Sequence, residues 1–200
     1  MSDTPTTANI TLGILAGGRA SRLGGLDKAW LQREGLPQVV RWRDRFATEV
    51  SAIVVSANRD LPRYQAAGLH AVADTLAGDI GPLAGIAALA AACKTTWLLT
   101  IPVDLVDVDD GLLRSLAATS EAGGAYACDD DGAQPLVALW RAEAIGPAVL
   151  AAIDSGDVAV HALQHRLGMA AVDFPGGRFG NLNTPGDLDA AGFASVSERP

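Results

Sequence analysis

Cysteine is scarce in this chain: Cys93 and Cys128 are its only two, and neither belongs to a C-x-x-C pair. That spacing excludes a zinc ribbon or a disulfide framework and predicts two reduced, partly buried thiols. Histidine is equally sparse. His70, His161 and His165 lie away from every motif discussed below, so imidazole acid–base chemistry has no support. Lysine and arginine total 15 against 23 acidic residues. The resulting net charge of −8 lacks the basic field that non-specific nucleic-acid binding requires. No apolar run is long enough to span a bilayer. The polar start, residues 1–9, has neither the basic nor the apolar part of a signal peptide. The expectation is a cytoplasmic protein without membrane or nucleic-acid partners.

Two familiar phosphate-binding signatures are also missing. A Walker loop needs G-x-x-x-x-G-K-[ST], but Lys28 follows Asp27 and precedes Ala29. The dinucleotide fingerprint G-x-G-x-x-G fails because Gly17-Gly18 is followed by five residues before Gly24.

The chain does hold a substantial apolar fraction, 49%, with 19% charged residues. Over 200 residues that predicts one folded domain, 1–200, with a single core. Strands are expected at Ile10–Leu15, Ser51–Ser56 and Leu69–Asp74, in "TWLLTIP" and at Met169–Phe174. Helices are expected after Pro37, at Leu83–Cys93, at Asp107–Ala118 with acidic residues in the first turn, and at Val158–Leu167. A further helix carries "AVLAAI", and another starts at Thr184 with Pro185 in the first helical position. "GGAYACDDDGAQPLVALW" suggests a hairpin or an antiparallel excursion. Alternating strand and helix predict a three-layer α/β/α fold with a mostly parallel, Rossmann-like sheet.

Three features fall at predicted strand ends, where such sheets bind ligands. The first is "LAGGRASRLGGLDK", whose small residues admit an anion to the backbone and whose Arg19, Arg22 and Lys28 supply charge. The second is Asp104, just past a proline at the end of "LLTIPVD", suited to holding Mg²⁺. The third is "VADTLAGDIGPLAG", with Asp74 after a strand and Gly81 and Gly85 at a helix start. Each alone is compatible with an ordinary turn.

In this order the pieces resemble the molybdenum cofactor guanylyltransferase family, within the sugar-nucleotide type of nucleotidyltransferase. The matching residues are Leu15-Ala16-Gly17-Gly18, Arg22-Leu23-Gly24, Asp27-Lys28, "VVSANR", Gly81–Gly85, Pro102–Asp104 and Asn181–Pro185. LAGG is closer to the guanylyl branch than to the cytidylyl branch, which carries LAAG. The chain departs from the pattern at Leu23 for Met, Ser56 for Asn and Gly186 for Glu. The resemblance implies transfer of GMP from GTP to molybdenum-molybdopterin, with Mg²⁺ as cofactor and molybdoenzymes or their chaperones as further partners. It implies nucleotide contacts from Leu15, Ala16, Gly17, Gly18, Lys28, Ser56, Asp74 and Asp104. Lys28, Arg22 and Asp104 would be catalytic, and Asp104 would ligate the metal. Gly81, Gly85, Asn181 and Asn183 would be substrate-binding, the two asparagines lying where the second substrate or the metal could be reached. The alternatives are a cytidylyltransferase of the same cofactor, a sugar-phosphate nucleotidyltransferase, or a non-catalytic nucleotide or cofactor delivery protein.

Overall fold

The structure is a computed structural model that describes residues 4–17, 27–76, 80–120 and 123–193. After a 3₁₀ turn at Thr7–Asn9 comes β1 (Ile10–Leu15). A second 3₁₀ turn at Lys28–Trp30 leads to a small hairpin of β2 (Gln32–Arg33) and β3 (Leu36–Pro37). The chain continues through α1 (Gln38–Phe46), β4 (Ala52–Ser56), α2 (Leu61–Ala66), β5 (His70–Val72), α3 (Pro82–Ala92) and β6 (Trp97–Pro102). Then follow α4 (Leu112–Thr119), β7 (Gly124–Asp129), β8 (Gly132–Arg141), α5 (Ala142–Ser155), α6 (Val160–Arg166), β9 (Ala170–Asp173) and α7 (Pro185–Ala190).

One seven-stranded sheet has the order β5-β4-β1-β6-β8-β7-β9. β8 pairs antiparallel with both neighbours, and the other pairings are parallel. The antiparallel excursion expected from "GGAYACDDDGAQPLVALW" is therefore the β7–β8 hairpin, and the fold is the expected mostly parallel α/β sheet. Side-chain alternation sends Ile10, Leu12 and Ile14 of β1 into a core shared with Val39, Trp42 and Phe46 of α1 and Leu112 and Leu116 of α4. The opposite face packs Leu98 and Trp140 against Leu83, Ile86 and Leu89 of α3, with α5 and α6 beyond. Each such buried aliphatic or aromatic side chain stabilises the fold by about 1.5–3 kcal/mol. At Gly13 an added Cβ would lie 2.8 Å from Leu89 Cδ1, so the bare backbone is what lets α3 lie this close to β1.

One expected element begins later than its sequence suggests. The pattern over Asp107–Ala118 predicts a helix with an acidic first turn, but α4 starts at Leu112, and no acid stands in its first turn. Asp107 Oδ1 instead accepts from the Val108 amide at 2.9 Å, and Asp109 Oδ1 accepts from the Gly111 amide at 2.6 Å. Aspartates that bond nearby backbone N–H groups favour turns over helix. By contrast, α7 begins as expected. Thr184 is its N-cap, Pro185 follows, and Asp187 completes a reciprocal capping box.

After β9 the chain returns over the end of β6 as a strap, residues 176–183. The Val106 and Asp107 amides donate to the Phe179 carbonyl, each at 3.1 Å, and Asn181 bridges Leu105. The strap is anchored to the β7–β8 hairpin by Asp129. The Phe179 amide donates to Asp129 Oδ2 at 2.9 Å. Gln134 Nε2 and the Asp131 amide donate to Oδ1, both at 3.0 Å. Burial alone would raise the Asp129 pKa, but these donors outweigh it and hold the carboxyl below its usual range.

Candidate active site

The carboxyl ends of β1, β4 and β6 open into a cavity of about 680 Å³. The sheet register explains why. Leu15, Ser56 and Pro102, the last residues of these three strands, are direct neighbours across the sheet. Loops more than forty residues apart in sequence are thereby delivered to one place. The wall includes Leu15, Ala16, Gly17, Lys28, Ser56, Asp74, Gly81, Gly85 and Asp104. Asn183 reaches this group through Lys28. Asn181 is exposed, its backbone bridges Leu105, and it does not line the cavity. Gly18 and Arg22, also expected at the site, lie outside the described residues.

One end of the cavity is charged. Lys28 Nζ lies 2.8 Å from Asp104 Oδ2 and donates to Asn183 Oδ1 at 3.0 Å. Both partners of the ion pair are about one-fifth exposed, so screening by water is incomplete but present. The backbone around Asp104 is held by three separate donors. Trp42 Nε1 donates to the Val103 carbonyl at 3.2 Å. The Leu182 amide of the strap donates to the Asp104 carbonyl at 2.8 Å. Gln38 Nε2 donates to the Leu105 carbonyl at 2.6 Å. Gln38 is fully buried, and its Oε1 accepts from Arg41 Nη1 at 2.8 Å. Gln38→Leu would conserve bulk but leave that carbonyl without its side-chain donor. Thermal unfolding should show a loss of about 1–3 kcal/mol.

The other end is polar and acceptor-rich. Asp74 Oδ1 accepts from Ser56 Oγ at 3.1 Å, and Oδ2 accepts from Asn58 Nδ2 at 2.8 Å. Asn58 Oδ1 accepts from the Asp74 amide at 2.9 Å, which closes the ring of bonds. Gly85 backs this group: a Cβ there would stand 2.9 Å from both Ser56 Oγ and Leu15 Cδ2. The second glycine of "GPLAG" is thus favoured by close approach, whereas the first, Gly81, has a φ of 58° and serves the turn.

Several wall and support residues escape sequence reasoning. Asn58 sits two places after Ser56 inside "VVSANR", and its polarity on a strand-end loop was the available signal. Tyr64 also lines the cavity, packed at a tilt against Trp30 with ring centroids 4.9 Å apart. Burial, and after it the Asp27 carboxylate, pushes its phenol well above the ordinary value, so it stays protonated. Gln38 and Trp42 carried no signal beyond a helix face, because their partners are 67 and 61 residues away.

The donor set constrains which cation could bind. Among the described residues, no group of three or more His, Cys, Asp or Glu side chains is placed to hold a metal. The Asp104 carboxylate, with a lysine beside it, fits a hard ion that takes its remaining ligands from phosphates and water. That is the habit of Mg²⁺.

A small-residue strand end, a lysine–aspartate pair and a polar acceptor group around one cavity define a nucleotide-handling protein of the α/β class. The sequence matches the MobA-like NTP transferase domain over residues 12–170, and the chain belongs to that family of nucleotidyltransferases. It is 35% identical over 184 residues to a molybdenum cofactor guanylyltransferase of Yersinia pestis (strain Pestoides F), covering 90% of this chain and 94% of the relative. Molybdopterin-guanine dinucleotide biosynthesis protein A from Archaeoglobus fulgidus shares the fold, with a TM-score of 0.66 and 20% identity over 91% of this chain and 96% of that one. So does 2-C-methyl-D-erythritol 4-phosphate cytidylyltransferase from Thermus thermophilus, with a TM-score of 0.66 and 21% identity over 92% and 97%. Among the described residues, no helix is long and apolar enough to cross a membrane.

Proposed function

We propose that this protein transfers GMP from GTP to the terminal phosphate of molybdenum-molybdopterin, forming the guanine dinucleotide cofactor and pyrophosphate. The observation that carries this reading is the Lys28–Asp104 pair facing the Asp74 group across one cavity, in a chain so similar to a guanylyltransferase. A phosphate oxygen of the acceptor attacks the α-phosphorus of GTP. One P–O bond forms as the bond to the β-phosphate oxygen breaks. The attacking oxygen is already ionised at neutral pH, so no general base is needed. Both reactants are anions, and the protein's task is to position them and to neutralise developing charge.

Asp74, acceptor-only when ionised, takes hydrogen bonds from the ribose hydroxyls or from the N–H groups of guanine. Ser56 and Asn58 orient that carboxylate. Gly17 and Ala16 admit the sugar–phosphate to the backbone. Lys28 exchanges its protein partners for triphosphate oxygens and stabilises the departing pyrophosphate. Asp104 would hold Mg²⁺. When bound, the ion would draw electron density from the α-phosphoryl oxygens. Arg22 is assigned to the phosphates as a planar fork. Asn183 is assigned to the second substrate, which it would meet when Lys28 moves. Asn181, outside the cavity wall, has no role in this reading.

Pyrophosphate release with molybdenum-loaded molybdopterin and each of the four nucleoside triphosphates tests the reading. GTP alone should support turnover, and chelation of Mg²⁺ should stop it. Preference for CTP would identify a cytidylyltransferase. GTP binding without pyrophosphate release would identify a delivery protein.

A further inference from the structure

Asp129 lies on the β7–β8 hairpin, outside the cavity wall, yet among the described residues it is the one carboxylate that the fold buries, at 9% exposure. Three donors meet its two oxygens. One of them, the Phe179 amide, belongs to the strap. From there an unbroken series of bonds runs to the site. The Phe179 carbonyl takes the Val106 and Asp107 amides, Asn181 bridges Leu105, the Leu182 amide donates to the Asp104 carbonyl, and Asn183 receives Lys28. Asp130 adds a parallel tie, accepting from the Gly176 amide at 3.0 Å while its own amide donates to the Gly177 carbonyl.

We infer that Asp129 is a positioning residue, which sets the strap so that Asn183 and the Asp104 turn meet Lys28 in register. The inference rests on the transfer reading for its kinetic consequence, but its structural part does not. A carboxylate suits this position because both oxygens must accept. An asparagine can offer one carbonyl oxygen only. Its amide would then face either the Phe179 N–H or the Asp131 N–H, donor against donor. The buried side chain cannot be satisfied in either orientation.

The test compares the parent protein with Asp129→Asn, and with Gln134→Ala as a milder variant that keeps the carboxylate on Phe179. Amide hydrogen exchange should accelerate about tenfold or more across 177–183 in Asp129→Asn, and by less in Gln134→Ala, with β1 and β6 unchanged. The Asn183 side-chain amide resonance should shift in the same order. In the pyrophosphate assay, kcat for Asp129→Asn should fall about tenfold while KM for GTP stays within about twofold. The inference is overturned if the strap exchanges at the parental rate, if exchange rises equally in β1 and β6, or if KM rises with kcat unchanged. If the parent protein itself releases no pyrophosphate from GTP, the transfer reading fails. The exchange and resonance measurements then decide the strap anchor by themselves.

Discussion

Asp104→Ala is expected to lower the rate of pyrophosphate release by about a thousandfold, with the protein still folded. The folding part follows from where the side chain sits. It is about one-fifth exposed, and its ion pair with Lys28 is partly screened, so its removal costs little stability. The backbone of the turn keeps its own supports, because the bonds from Trp42, Gln38 and the Leu182 amide are made to carbonyls and not to the carboxylate. The rate part follows from charge. Without the carboxylate at the end of β6, Lys28 loses its ion-pair partner, and the neighbouring acid on the wall, Asp27, already accepts from the Ala29 amide. A melting temperature within a few degrees of the parent, alongside lost turnover, is the expected pair of results. Full turnover with unchanged Mg²⁺ dependence would remove Asp104 from the mechanism.

Lys28→Ala should have the second largest effect, a loss of about a hundredfold in kcat. Lys28 is the described residue that links the 3₁₀ turn after the glycine loop to both β6 and the strap. Asp27 caps that turn, its Oδ1 accepting from the Ala29 amide at 3.0 Å, while Ala29 is fully buried. The turn is therefore anchored where Lys28 leaves it. Lys28→Arg should restore little. A guanidinium is a planar fork, whereas this position asks one compact ammonium to serve oxygens on two different elements. The measurement is single-turnover pyrophosphate release with saturating GTP. A rate for Lys28→Arg close to that of the parent would show that charge alone suffices.

Much of this site can be foreseen from short, local patterns. The apolar run Ile10–Leu15, ended by small residues, is a buried strand because its side chains have nowhere else to go. Asp104 after Pro102, and Gly81-Pro82 before an alanine-rich segment, mark a strand end and a helix start by the backbone rules of proline and glycine. These signals act over a few residues and survive without tertiary context. The acidic stretch Asp107–Asp110 misled for the same reason. Its charges suit a helix start, but the side chains found nearer amides to bond.

Other parts have no local signature. Gln38 is one polar residue on a helix face until the Leu105 carbonyl appears beside it, and Asp129 is one of three consecutive aspartates until Phe179 arrives from the far side of β9. Asn58 gains a role only when β4 and the loop after β5 bring it against Asp74.

The α/β alternation, the strand ends and the small and charged residue types found there are therefore legible in the sequence alone, because periodicity and backbone stereochemistry are local properties. Tertiary structure alone decided which of those strand ends share a cavity, through the parallel register of β4, β1 and β6. It also decided which buried donors hold the Asp104 turn. Both depend on pairings between residues dozens of positions apart, whose free energy arises only when the core closes around them.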